Sequence, residues 1–243
     1  MRTRFYLAAA ATVAVACSST TSPTTTASGG SNTGSAAAPA MYSKFDAAVA
    51  VSSDGSTVTL RATSVPDHKS PYFGAGDTRY EAPHAGMVVN PNLIVSQNLV
   101  MRVPASPSVA TASDTPMGPI GVAVNGVALF NQYAAGRSPL GPEILSFDRY
   151  SGHPQQTGQY HYHLEPLWLT GNRGAASLIG VLLDGFPVYA PRETSGATPT
   201  GLDSCNGHTH ATPEFAGGIY HYHVTSSVPY ISGCFRGTPG SLG

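Results

Sequence analysis

The hexapeptide GQYHYH occupies residues 158–163, and GIYHYH recurs at residues 218–223. Four of the chain's nine histidines therefore stand in two copies of one tetrapeptide. Each copy closes a longer repeated unit. GPIGVAVNGVALFNQY (118–133) matches SLIGVLLDGFPVYAPR (177–192); both carry Ile-Gly-Val, alternating aliphatic positions, an Asn-Gly or Asp-Gly turn, and an apolar strand ending in an aromatic. Downstream, Asp148 and Asp203 each stand four residues before a Gly-His pair, Gly152-His153 and Gly207-His208. The copies are offset by 59, 55 and then 60 residues, so the changes in length fall in loops. A duplication of this kind implies two structural units packed with a pseudo-twofold relation.

The rest of the chain fits a mainly β fold. AAVAVSSDGSTVTLRATSV (47–65) alternates apolar and polar residues on both sides of Asp54-Gly55, which predicts a hairpin with a tight turn. NPNLIVSQNLVMRVP (90–104) reads as strand. The 27 glycines, 20 prolines and 12 tyrosines favour turns and extended segments. No segment has helical periodicity with caps, although LSFDRYSG and TPEFAGG suit a short helical turn. The expected architecture is a single pseudo-symmetric domain, residues 43–243, of two tandem β-rich repeats. An N-terminal β hairpin region (43–117) precedes repeat one (118–170) and repeat two (177–237).

The segment before it reads differently. Arg2 and Arg4 precede an apolar run, Phe5 to Ala16, too short to span a bilayer and laid out as a secretory signal. AVAC at 14–17 resembles a bacterial lipobox, with cleavage before Cys17 and a lipid on its thiol; plain cleavage after Ala16 is the alternative. Of the three cysteines, Cys205 and Cys234 lie in the expected folded region of an exported chain and are expected to pair. Cys17 is then the odd one, and lipidation accounts for it. Residues 18–42 are rich in Ser, Thr and Ala and read as a flexible tether. The expected location is outside the cytoplasm, anchored to a membrane through Cys17, with a secreted or periplasmic protein as the alternative. A net charge of −1 and no basic stripe argue against a nucleic-acid partner.

Tyr-His-Tyr-His on a strand sends alternate side chains to opposite faces. His161 and His163 then share one face with Tyr160 and Tyr162 on the other; His221, His223, Tyr220 and Tyr222 repeat the arrangement. Two imidazoles at i and i+2 can reach one metal ion. His153 and His208 arrive on glycine turns that can aim them at the same face, so up to six histidines can line one seam between the halves. Imidazole-rich sites without thiolate suit copper or zinc. Asp148 and Asp203 can bind the metal or hold a ligand histidine in its tautomer. Structural packing stands beside this reading, because Tyr and His are both content at half-buried sites.

Other residues carry less. Asn125-Gly126 and Asp184-Gly185 read as hairpin turns rather than working acids. His210 reads as loop surface and His84 as surface; His68 is either a further ligand or a loop residue. Arg236 is balanced between neutralising an anion at the site and pairing with an acid. Glu193 and Glu214 have no partner visible in sequence. A serine-nucleophile motif, a phosphate-binding glycine loop and the helical zinc-protease motif are absent.

The stretches IGVAVNGV, GHPQQTGQYHYH, IGVLLDGFPVY, LDSCNGHT, TPEFAGGIYHYHVT and PYISGCFRG resemble the YHYH-domain proteins, and PDHKSPYF with NPNLIVSQNLVMRVPASP resembles their N-terminal half. The resemblance spans about Phe45 to Gly237. It implies an exported or membrane-anchored protein and supplies no reaction. Members of that family often carry a cysteine where Tyr150 stands here, and another soon after the first YHYH. LEPLWL (164–169) has none, so the resemblance implies a disulfide lost from the first half, with Trp168 and Leu169 packing in its place. Three functional classes stay open: a metal-binding protein, a metal-dependent hydrolase or oxidase acting on a small ligand, and a non-catalytic envelope or ligand-binding module with structural YHYH strands.

Overall fold

The computed structural model describes Met1 and residues 36–243. The signal segment, Cys17 and most of the tether lie outside the described residues. The packed part begins before Ser43, where the tether was expected to end. Ala36 N–H donates to Ser53 O, and Ala40–Lys44 form a 3-10 turn that buries Met41 and Tyr42. The apolar pair Met41-Tyr42 is what draws this end of the expected tether into the core.

The chain is mainly β. Asp54-Gly55 makes the expected turn, with Asp54 Oδ1 accepting from Ser56 N–H and Thr57 N–H. It joins β1 (Ala50–Ser53) to β2 (Thr57–Ala62), and β2 pairs antiparallel with β3 (Leu99–Pro104). The C-terminal pair Ser241–Leu242 completes this four-stranded sheet beside β3. Residues 90–98, expected as strand, are irregular, and only Leu99–Pro104 joins the ladder.

The second sheet has eight strands. In chain order they are β4 (Pro119–Ala123), β5 (Ala128–Phe130), β6 (Gly152–Pro154), β7 (Tyr160–Tyr162), β8 (Leu178–Leu182), β9 (Pro187–Tyr189), β10 (Gly207–Thr212) and β11 (Phe215–His223). In space they run β10-β11-β9-β8-β4-β5-β7-β6. Within each half the pairing senses agree. A hairpin (β4-β5, β8-β9) is followed by a parallel neighbour (β7 on β5, β11 on β9) and then an antiparallel outer strand (β6, β10). Both hairpins slip register at the same place, Pro119/Gly121 and Leu178/Gly180.

The halves meet where β4 pairs antiparallel with β8, in register Val122↔Val181. Here the Ile-Gly-Val triplets find their reason. A side chain at Gly121 would overlap Val181 O and Leu182, and one at Gly180 would overlap Val122 O and Ala123. Glycine lets the central strands approach. Their aliphatic residues and those of β2 and β3 share one core, including Leu60, Met101, Ile120, Val122, Ile179 and Val181.

Helix is sparse. GPEILS (Gly141–Ser146) forms a 3-10 turn overlapping the expected LSFDRYSG, whereas TPEFAGG forms the turn and start of β11. Among the described residues there is one α-helix, α1 (Leu167–Arg173), which was not expected. Its Leu169 is buried, and Trp168 Nε1 donates to Asp67 Oδ2 at 3.0 Å. Cys205 and Cys234 form a disulfide. Among the described residues no helix is long and apolar enough to cross a membrane.

Candidate metal centres

Each YHYH strand sorts its rings as period two requires. On the tyrosine side, Tyr160 OH donates to Asp148 Oδ2 at 2.8 Å and Tyr220 OH to Asp203 Oδ1 at 3.0 Å. The same aspartates cap their own turns. Asp148 Oδ1 accepts from Tyr150 N–H, and Asp203 Oδ1 from Cys205 N–H and Gly207 N–H. This corrects the expected role of Asp148 and Asp203: they hold a tyrosine and a turn, on the face away from the YHYH histidines, and hydrogen-bond to no imidazole. The glycine of each Gly-His pair follows from this contact, since a side chain at Gly152 or Gly207 would overlap the Tyr160 or Tyr220 hydroxyl.

The second tyrosine reaches the hairpin turn. Tyr222 OH donates to buried Asp184 Oδ2, which also accepts from Arg236 N–H and Gly237 N–H. Burial pushes the Asp184 carboxyl pKa up, against the hydrogen bonds that pull it down. In the first half Asn125 Nδ2 donates to Tyr162 OH at 3.3 Å, and His68 Nε2 lies 3.1 Å from the same hydroxyl. His68 is the loop residue of the two readings, but a buried one, on the tyrosine side and outside both groups of histidines. Asn125 and Asp184 do sit in hairpin turns, as read, and they anchor the closing strands as well.

On the histidine side the rings form two separate groups. One is His153, His161 and His163; the other is His208, His210, His221, His223 and Glu193. Within each group the ligand atoms lie within 4.8 Å of one another. The single seam of six histidines is not what the chain builds. β7 and β11 sit near opposite ends of the sheet with four strands between them, about 24 Å apart at about 4.8 Å per strand step. The halves join through β4 and β8, so each YHYH strand faces outward from the join with its own Gly-His strand.

Backbone carbonyls hold the rings. His161 Nδ1 lies 3.0 Å from Gln159 O, and His221 Nδ1 2.9 Å from Ile219 O. His163 Nδ1 meets Asn131 O at 2.5 Å, and His223 Nδ1 meets Ala190 O at 2.8 Å. His208 and His210 do the same with Thr200 O and Ala211 O. A carbonyl oxygen can only accept, so Nδ1 carries the proton in each neutral ring and Nε2 keeps a lone pair. His153 Nδ1 lies between Ser146 Oγ at 2.8 Å and the Asn90 amide nitrogen at 3.4 Å.

The Nε2 atoms then converge, and the rings held by carbonyls leave no proton between them. His153 and His163 Nε2 lie 3.1 and 3.0 Å from His161 Nε2, and His208 Nε2 lies 3.0 Å from His210 Nε2. Lone pairs at that separation repel unless a cation sits among them. Protonation is a poor remedy in the buried rings. Burial lowers the pKa of His153 to about 3 and of His163 and His221 to about 4, and it lowers those of His161 and His223 too. A metal ion at 2.0–2.1 Å from each of several tetrahedral imidazoles would set their nitrogens about 3.3 Å apart, close to the observed spacing. His221 Nε2 and His223 Nε2 are buried without a hydrogen-bond partner. Either group can hold a metal ion.

Carboxylates differ between the groups. Glu193 lies 3.3 Å from His208 Nε2, 3.2 Å from His210 Nε2 and 3.5 Å from His223 Nε2. Glu143 pairs with His153 Nε2 alone, at 3.3 Å. Sequence reading missed both glutamates, because they occupy loops of unequal length that the repeat does not align. His210 is exposed as read, but it stands on β10 rather than a loop, two residues after His208, with its Nε2 turned toward the second group. That i, i+2 spacing was the available signal. His84 is at the surface as expected; Arg236 Nε pairs with Asp203 at 3.1 Å, and Glu214 accepts from Tyr189 OH.

A protein-family model described as YHYH protein matches residues 100–200 and 192–237. No curated protein and no solved structure matches the chain.

Proposed function

This chain belongs to the YHYH protein family, and we propose that it binds transition-metal ions, copper or zinc, at two separate histidine centres. The first centre is His153, His161 and His163; the second is His208, His210, His221 and His223 with Glu193. One observation carries the reading: six of the seven Nδ1 atoms in the two groups are committed to backbone carbonyls, so the Nε2 lone pairs of those rings point into their own group. A purely structural packing of these rings would pair each Nε2 with a donor. Nitrogen donors with no thiolate suit Zn(II) and Cu(II).

The same reading takes the two halves as a tandem duplication, which the shared pairing senses and shared register slip support. It puts the domain outside the cytoplasm, carried by the signal-like residues 1–17 and held at a membrane by a lipid on Cys17.

Metal analysis of untagged protein offered zinc and copper tests the centres. Wild type should hold two equivalents. His161→Ala/His163→Ala and His221→Ala/His223→Ala should each hold one. Metal-free wild type, or metal untouched by either pair of substitutions, would refute the assignment. For the anchor, Cys17→Ala should move the protein from the membrane fraction to the soluble fraction.

A further inference from the structure

The two centres differ in how many protein donors they offer and in what lies beside them. In the second, four imidazoles and a carboxylate fall within one ligand-sized cluster. Five donors fill the sphere of a zinc or copper ion. The space left beside Glu193, His210, His221 and His223 is about 10 Å³, roughly one water molecule. In the first centre only three histidines meet, and Glu143 pairs with one of them from the side. Three protein donors leave a fourth position for an outside ligand.

That side of the first centre opens on a groove of about 340 Å³. His161, His163 and Glu143 line its inner end, and Met117, Phe130 and Tyr133 line its walls. No lysine or arginine lines it; Arg137, over the outer Tyr133 ring, is committed to Thr115 O and Asp114, and Glu143 at the inner end would oppose an anion. Apolar walls around a single strong acceptor of electron pairs select a ligand with one donor atom and an apolar body.

We propose that the first centre is an open metal site that takes an uncharged nitrogen- or oxygen-donor ligand with an apolar or aromatic body, while the second is closed. The donor atom displaces water from the metal, and the body displaces water from Met117, Phe130 and Tyr133. The proposal rests on metal binding at the first centre.

Cobalt(II) is the probe, since its visible absorption changes when a ligand is exchanged. Each centre is loaded alone, the first in Glu193→Ala/His210→Ala/His221→Ala and the second in His153→Ala/His161→Ala. Adding 4-phenylimidazole should shift the spectrum of the first centre and leave the second unchanged. Binding should be at least about tenfold tighter than for imidazole, because the phenyl ring is buried. Ala135→Trp, an exposed position on the groove, should bind cobalt as wild type does and lose most of that advantage. Equal response of both centres, no response at the first, or equal affinity for the two imidazoles would overturn the proposal. Failure of the first centre to take up cobalt would overturn the metal assignment itself, and the open site with it.

Discussion

The two closing strands hold their residues alike but stand in different surroundings. Tyr160 and Tyr220 each rest on an aspartate, and the histidines of both strands rest on carbonyls. Beyond that, the first half surrounds Tyr162 with neutral Asn125 and His68, and its helix brings Trp168 to Asp67. The second half surrounds Tyr222 with the buried carboxylate of Asp184, and it ties Cys205 to Cys234. The strand supplies a frame that survives changes of neighbour as long as each hydroxyl and each Nδ1 keeps its partner. What differs is how much each half depends on one residue.

The hairpin turns give the sharpest contrast. Asp184→Ala would remove the acceptor of Tyr222 OH and of Gly237 N–H in the core, while Arg236 N–H keeps the Tyr222 hydroxyl, a loss of about 3–5 kcal/mol. Asn125→Ala should cost about 1–2 kcal/mol, since Tyr162 OH keeps His68. Urea unfolding of both variants measures the difference; equal losses would mean that the two turns are equivalent despite their chemistry. Next in size is the cross-link. Cys205→Ser/Cys234→Ser releases a closure of 29 residues and should cost about 3 kcal/mol, against about 1–2 kcal/mol for Trp168→Ala in the first half. A larger loss from Trp168→Ala would reverse that ranking of the two halves.

Acid should separate the centres more gently. The folded-state pKa values of His153, His163 and His221 lie below the unfolded value of 6.5. Between about pH 6.5 and 4 the unfolded chain binds protons that the metal-free folded chain refuses. Stability is therefore retained above pH 6.5 and falls as the pH drops, by up to about 1.4 kcal/mol per pH unit for each such ring. Urea midpoints of metal-free protein at pH 7, 6 and 5 should show this slope. His153→Gln should flatten it. The smallest effect is expected at the exposed ligand: His210→Ala should weaken zinc at the second centre about tenfold while leaving its stoichiometry and the first centre unchanged, as isothermal titration can check.

Several of these contrasts were legible before any fold was known. Alternation put His161 with His163 and His221 with His223, because side chains on a strand change face at every residue. Asp54-Gly55, Asn125-Gly126 and Asp184-Gly185 marked turns by their backbone chemistry. The matched Asp and Gly-His pairs marked corresponding positions, and the expectation of export pointed to the Cys205–Cys234 bond. The partners of those positions were harder to read. Asp148 and Asp203 looked like supports for histidine and instead hold tyrosine, since four residues of turn bring each carboxylate to the opposite face of the strand. Glu143 and Glu193 had no pattern to mark them.

The sequence by itself determined the mainly β class, the recurrence of the YHYH motif, and which rings share a face, all consequences of spacing over a few residues. Only the tertiary structure decided that β4 and β8 form the join, so that the histidines make two distant groups rather than one seam. It also decided which carbonyls orient the rings and which glutamate faces each group. Strand order and loop path depend on contacts between residues far apart in the chain, and a two-residue period carries no record of them.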